Sequence, residues 1–184
     1  MTNSKKIFAA LALVAASSSV AMAQTDFGSG MGAGAGAGGA FATFAPGLAG
    51  TGTAPGLTGN GAAGLSTARA AFSNASGSNF RVVNPGGGNI DVPTNVVQAL
   101  SAVLGGAPSA TQTSIVTNSL VGVPSSAATT LVAALQALGA SPSFATLTRA
   151  TSAYNAAIDA LPAGTQPPAA LAAIRSALFQ ASKQ

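Results

Sequence analysis

General acid–base catalysis needs groups that titrate near neutral pH, or carboxylates held together in one pocket. This chain has few of either. It contains no His, Cys or Trp and, along its whole length, no Glu; its acids are Asp26, Asp91 and Asp159, in three different segments. A serine nucleophile would need a base, and beyond Lys5 and Lys6 the sole lysine is Lys183, next to the terminal Gln184. Three scattered carboxylates are a poor basis for a calcium or magnesium cage, and thiolate or imidazole ligation is excluded outright. No catalytic, cofactor-binding or metal site is therefore expected.

The remaining candidates have bland readings. Asp159 falls near the end of a helical pattern, where an anion is mildly unfavourable, and a surface pair with a cation such as Arg175 would offset it. Tyr154 falls on an apolar seam and is expected in the core with its hydroxyl at the rim. Asn74-Ala75-Ser76 matches a glycosylation sequon, which matters only in a host that glycosylates. Gly34-Ala35-Gly36-Ala37-Gly38-Gly39 matches G-x-G-x-x-G by letter. It lacks the preceding strand, the following helix and the acidic partner that would give that match a nucleotide to hold.

Charged residues make up 5 % of the 184 residues, against roughly a quarter in ordinary soluble chains. The surface must therefore be wetted by Ser, Thr, Asn, Gln and backbone. The formal charge of +4 includes Lys5 and Lys6; without them five cations (Arg69, Arg81, Arg149, Arg175, Lys183) face three anions, a balance of +2. These cations are scattered singly rather than clustered, so a nucleic-acid partner is not expected.

Lys5 and Lys6 form a positive n-region, Ile7 to Ala16 an apolar h-region, and Ala21-Met22-Ala23 an A-x-A cleavage site before Gln24. Residues 1–23 thus read as a secretory signal peptide, removed after Ala23, because ten or so apolar residues fall short of the roughly 20 a spanning helix needs. Nothing later is long and apolar enough to span a bilayer, so no transmembrane segment is expected in the mature protein, which should be secreted or periplasmic. Residues 24–64 are rich in Gly, Ala, Thr and Pro, and read as a flexible arm: Gly is costly to order and these side chains bury little area. Within the arm, Ala45-Pro46-Gly47-Leu48 returns as Ala54-Pro55-Gly56-Leu57, and a Gly-Ala alternation precedes Phe41 and Phe44. Two copies are too few for a solenoid and the alternation is too short for silk-like stacking.

Residues 65–93 are expected to form a short helix, Leu65 to Ser73, and a hairpin. In the hairpin Phe80–Val83 and Ile90–Val92 flank a glycine-rich turn, Asn84 to Asn89, with Arg81 and Asp91 paired across it. Residues 94–184 read as a mainly α domain, a small bundle of four to five short antiparallel helices. The first starts at Thr94, as cap, and stops at Gly105; a weaker one runs from Ser109 to Val121. The most self-consistent spans Ser125 to Gly139, with Ala128, Leu131, Val132, Leu135 and Leu138 on one stripe, Ser125 as cap and Gly139 as the left-handed stop. It is expected at the centre of the domain. Phe144, Leu147, Thr151, Tyr154, Ile158 and Leu161 form a heptad-like seam. Leu171, Ile174, Leu178 and Ala181 follow Pro167 and Pro168 in a last helix, with Arg175 and Lys183 towards its end. Pro108-Ser109, Pro124-Ser125 and Pro142-Ser143 each follow a Gly, a repeated stop, proline and serine cap.

Together these features suggest an exported, non-enzymatic structural or interaction protein of the cell envelope, surface or extracellular matrix, whose partners are itself or other envelope and matrix components. The alternative is a secreted or periplasmic helical module that binds an apolar small molecule between its helices.

Overall fold

The structure, a computed structural model, describes residues 60–83 and 89–182. The signal peptide, the arm as far as Gly59 with its repeats and glycine motif, Asp26, the turn at 84–88 and Lys183 lie outside the described residues. In chain order the elements are α1 (Asn60–Ser73), β1 (Asn79–Val83), β2 (Asn89–Pro93), α2 (Thr94–Val103), α3 (Ala110–Ser119), α4 (Ser125–Ala140), α5 (Phe144–Asp159) and α6 (Ala169–Ser182). The described part is mainly helical with one short antiparallel hairpin, and five of its helices lie beyond residue 93.

The hairpin pairs as the alternation requires. Phe80 lies opposite Val92 and Arg81 opposite Asp91. Phe80, Val82, Ile90 and Val92 turn towards the helices, while Arg81 and Asp91 face water and form an ion pair of 3.4 Å. Two strands alone are marginal in water. Here the inward face rests on α2 and α6, the Phe80 ring meets Phe72 of α1 edge-on at 5.4 Å, and the Thr94 amide donates to Ser78 O at 3.0 Å.

The centre of the bundle is α6, a correction to the expectation that Ser125 to Gly139 would hold that place. Every residue from Ala170 to Arg175 is buried, with Ala177, Leu178 and Ala181, and the helix packs against α1, α2, α3, α5 and both strands. Burial all round a helix is the signature of a core position rather than a surface one. Ala permits it: a face of methyl groups lets neighbouring backbones come close from every side. α4 keeps the expected stripe buried (Ala128, Leu131, Val132, Leu135 and Leu138), but it lies to one side, packed chiefly on α5.

Glycine sets two of these approaches. A Cβ at Gly64 of α1 would meet the backbone carbonyl of Gln180 on α6. α1 begins at Asn60, five residues before the expected Leu65, and residues 60–64 belong to a helix rather than to the arm. Gly139 is not a left-handed stop either. It lies inside α4, where a Cβ would meet the Leu104 carbonyl just past the end of α2. At the end of α2 the residue with positive φ is Gly106 (φ 81°), one beyond the expected Gly105, and its own Cβ would run into the Ala140 backbone.

Capping divides the helices into two kinds. Ser109 and Ser143 form complete capping boxes. The Gln112 amide donates to Ser109 Oγ at 3.2 Å while Gln112 Oε1 accepts from the Ser109 amide at 2.8 Å, and Thr146 does the same for Ser143. At α2 and α4 the prolines themselves, Pro93 and Pro124, occupy the N-cap positions with extended ψ angles of 133° and 139° and no side-chain cap. Thr94 and Ser125, expected as caps, are instead the first residues inside their helices. Of the expected seam, Leu147, Thr151 and Tyr154 are buried, while Phe144, Ile158 and Leu161 are half-buried.

Candidate functional site

The largest change from the sequence reading concerns Arg175. Expected at the surface near a helix end, it lies in the middle of α6 and is 2 % exposed. Its charge faces Tyr154, which is fully buried on α5 rather than open at the rim. Burial pushes the Tyr154 hydroxyl far above its ordinary range, with the Arg175 charge acting in the opposite sense; burial likewise lowers Arg175, with Tyr154 opposing. The phenol and the guanidinium act on one another electrostatically in the core, between α5 and α6, and burial keeps the phenol protonated at neutral pH.

Asp159, exposed at the end of α5, is not answered at the surface by Arg175, because that side chain points into the core. Asp91 is held on the outer face of the hairpin by Arg81. The two carboxylates sit on different elements and neither lines the groove described next. Among the described residues no group of three or more His, Cys, Asp or Glu could hold a metal ion. Asn74, of the sequon, is exposed just past α1.

An open groove of about 530 Å³ lies where the start of α2, the last turns of α3 and the start of α6 meet. Pro93, Asn95 and Val96 supply one wall, Ile115, Asn118 and Ser119 the second, Ala169 and Ala170 the third. Val96 and Ala170 are buried and make an apolar floor; Asn95 and Asn118 are exposed and make a rim of carboxamides. Two helices present their N-termini here. The α2 end carries no side-chain cap and no acidic residue in its first turn, so the positive end of its dipole is left to whatever fills the groove. The Thr94 hydroxyl next to it is buried with no hydrogen-bond partner among the described residues. Such a surface can bury a small apolar group and hydrogen-bond neutral acceptors around it. It holds no group able to transfer a proton at neutral pH or to act as an activated nucleophile.

No helix among the described residues is long and apolar enough to cross a membrane. Comparison with protein-family models, with curated proteins and with solved structures gives no match.

The groove had almost no signal in the sequence. Its walls come from residues near 95, 118 and 170, and only the packing of α6 against α2 and α3 brings them together. The one local hint was the Pro93-Thr94-Asn95 start of a helix without an acidic first turn.

Proposed function

We propose that the protein is an exported, non-enzymatic structural or interaction protein of the cell envelope, surface or extracellular matrix, and that it associates with itself. The observation that carries this reading is a leader-like segment with no chemistry behind it. Residues 1–23 have the three parts of a secretory signal, and the chain that follows offers only Asp26, Asp91 and Asp159 as acids, with no His, Cys or Glu. Low charge adds to it, because copies of a chain with 5 % charged residues repel one another weakly. The separation of Asp91 from Asp159 onto a paired hairpin and a helix end is in keeping with a role that needs no active site.

Fractionation of the producing cells, with the oligomeric state recorded in the fraction that holds the protein, tests the reading. Recovery of a processed form outside the cytoplasm, associated with itself or with envelope or matrix material, is the expected result. An unprocessed cytoplasmic protein, or a strictly monomeric one that adheres to nothing, would overturn it. The alternative, a module for an apolar small molecule, draws on the volume of the α2–α3–α6 groove. The groove is open and rimmed by carboxamides rather than enclosed by apolar walls, which favours a contact surface over a ligand chamber.

A further inference from the structure

We propose that Ala45-Pro46-Gly47-Leu48, the first of the two copies of that tetrapeptide, seats in the groove where α2, α3 and α6 meet, so that the chain covers its own groove. This goes beyond the role proposed above and does not depend on it.

The groove is a meeting of helix ends in which both polarities are present. α2 and α6 begin there, and their first turns hold four backbone amides, those of Asn95, Val96, Ala169 and Ala170, with no hydrogen-bond partner among the described residues. α3 ends there, and the Asn118 and Ser119 carbonyls are likewise unanswered among the described residues. None of the lining residues is charged. A free anion would meet the carbonyl end of α3, and a cation the amide ends of α2 and α6. A peptide backbone suits both walls, because it brings carbonyls and amides without net charge.

The chain itself carries such a peptide. Residues 27–59 contain no charged residue, and within them Ala-Pro-Gly-Leu occurs twice. Its proline has no N–H, so carbonyls outnumber amides in the tetrapeptide, as they must to answer four donors with only two acceptors opposite. Its leucine supplies an apolar side chain for the floor made by Val96 and Ala170.

Reach selects between the two copies. Gly64 of α1 lies against Gln180, ten residues along α6 from Ala170 at the groove. That is about 15 Å at 1.5 Å per residue, and Asn60 lies a further turn away, so on the order of 20 Å separates the start of α1 from the groove. From Asn60 back to Leu48 the chain can span up to about 40 Å, but only about 10 Å back to Leu57. The nearer copy falls short and the farther one arrives. A tether of this kind holds its segment at an effective concentration in the millimolar range, so even weak seating fills the groove.

The test is residue-resolved amide hydrogen exchange of the full chain, at low and high concentration, for the wild type, Leu48→Asp and Leu57→Asp. Neither substitution lies among the described residues, and circular dichroism verifies that the helices are retained. Without an occupant, the amides of Asn95, Val96, Ala169 and Ala170 exchange close to the rate of an unstructured peptide. The expected result is exchange slower than that by about tenfold or more in the wild type, unaffected by dilution, lost in Leu48→Asp and kept in Leu57→Asp. Unslowed exchange in the wild type would overturn the proposal, as would slowing that Leu48→Asp leaves intact or that Leu57→Asp abolishes. Slowing that disappears on dilution would give the groove to another molecule and overturn seating within one chain.

Discussion

Replacing Gly64 with alanine tests whether α1 is an integral part of the bundle, and the sign of the effect decides it. In the interior of a solvated helix Gly→Ala is stabilising by about 1 kcal/mol, since alanine loses less backbone entropy. At Gly64 the new methyl would be placed against the Gln180 backbone, with the carbonyl carbon only 2.7 Å away. Carbon atoms pack at about 3.5–4.0 Å, so α1 would have to retreat from α6 by on the order of 1 Å. Backbone cannot swing aside as a flexible side chain can. The retreat would also loosen Leu65 and Ala68, which are buried on the same helix. Overpacking of this kind costs about 1–3 kcal/mol, and subtracting the helix-propensity gain of about 1 kcal/mol leaves a net loss of up to about 2 kcal/mol where a solvated helix would gain. At about 4 °C per kcal/mol, the melting temperature of the chain should fall by up to roughly 8 °C, against a rise of about 4 °C for a solvated helix. Far-UV circular dichroism during thermal and urea unfolding measures this directly. A raised melting temperature would refute the reasoning, because it would mean that α1 behaves as a solvated helix and does not bear on α6.

Three further outcomes follow from the same packing. Tyr154 is the chain's one tyrosine and burial holds its proton, so the unfolded chain ionises near about pH 10 while the folded one does not. Its contribution to stability is fully present below that pH and is lost as pH rises above it, by about 1.4 kcal/mol per pH unit. Phenolate absorbance should therefore appear only together with loss of the helical signal, and Tyr154→Phe should flatten the alkaline slope; a phenolate that titrates normally in the folded protein would contradict this. Ser143→Ala should cost about 1 kcal/mol through loss of its capping box, whereas Ser125→Ala, at a position without a side-chain cap, should be close to neutral in urea unfolding. Leu178→Ala, in the fully buried centre of α6, should cost about 2–5 kcal/mol, and a loss much smaller than that would argue against a core position for this helix.

Much of the element order was legible because local patterns carry it. The alternation of Phe80–Val83 and Ile90–Val92 about a glycine-rich turn specifies both the hairpin and its register, since a slip by one residue would turn every apolar side chain to water. The serines after Pro108 and Pro142, with hydrogen-bonding side chains three residues on, mark true caps. The same dipeptide at Pro124-Ser125 does not, because there the proline takes the capping position, a choice made by the turn that brings Val123 into the core. The start of α1 was hidden for a different reason. Asn60-Gly61-Ala62-Ala63-Gly64 continues a glycine-rich stretch and reads as loop, yet Gly64 is what allows α1 to lie against α6.

What the sequence by itself determined is therefore the hairpin, the number and approximate limits of the helices beyond it, and the buried stripe of α4. Periodicity, caps and turns act over a few residues and can be read there. Only the tertiary structure decided that α6, not the Ser125 to Gly139 helix, lies at the centre, that Arg175 is buried beside Tyr154, and that α2, α3 and α6 meet around an open groove. An alanine-rich helix has no strongly polar side to reveal, and its single arginine suggests a wet face. Which helix is covered all round depends on how closely other backbones can approach it, a property of pairs of helices meeting at Gly64 and Gly139 rather than of any one stretch of chain.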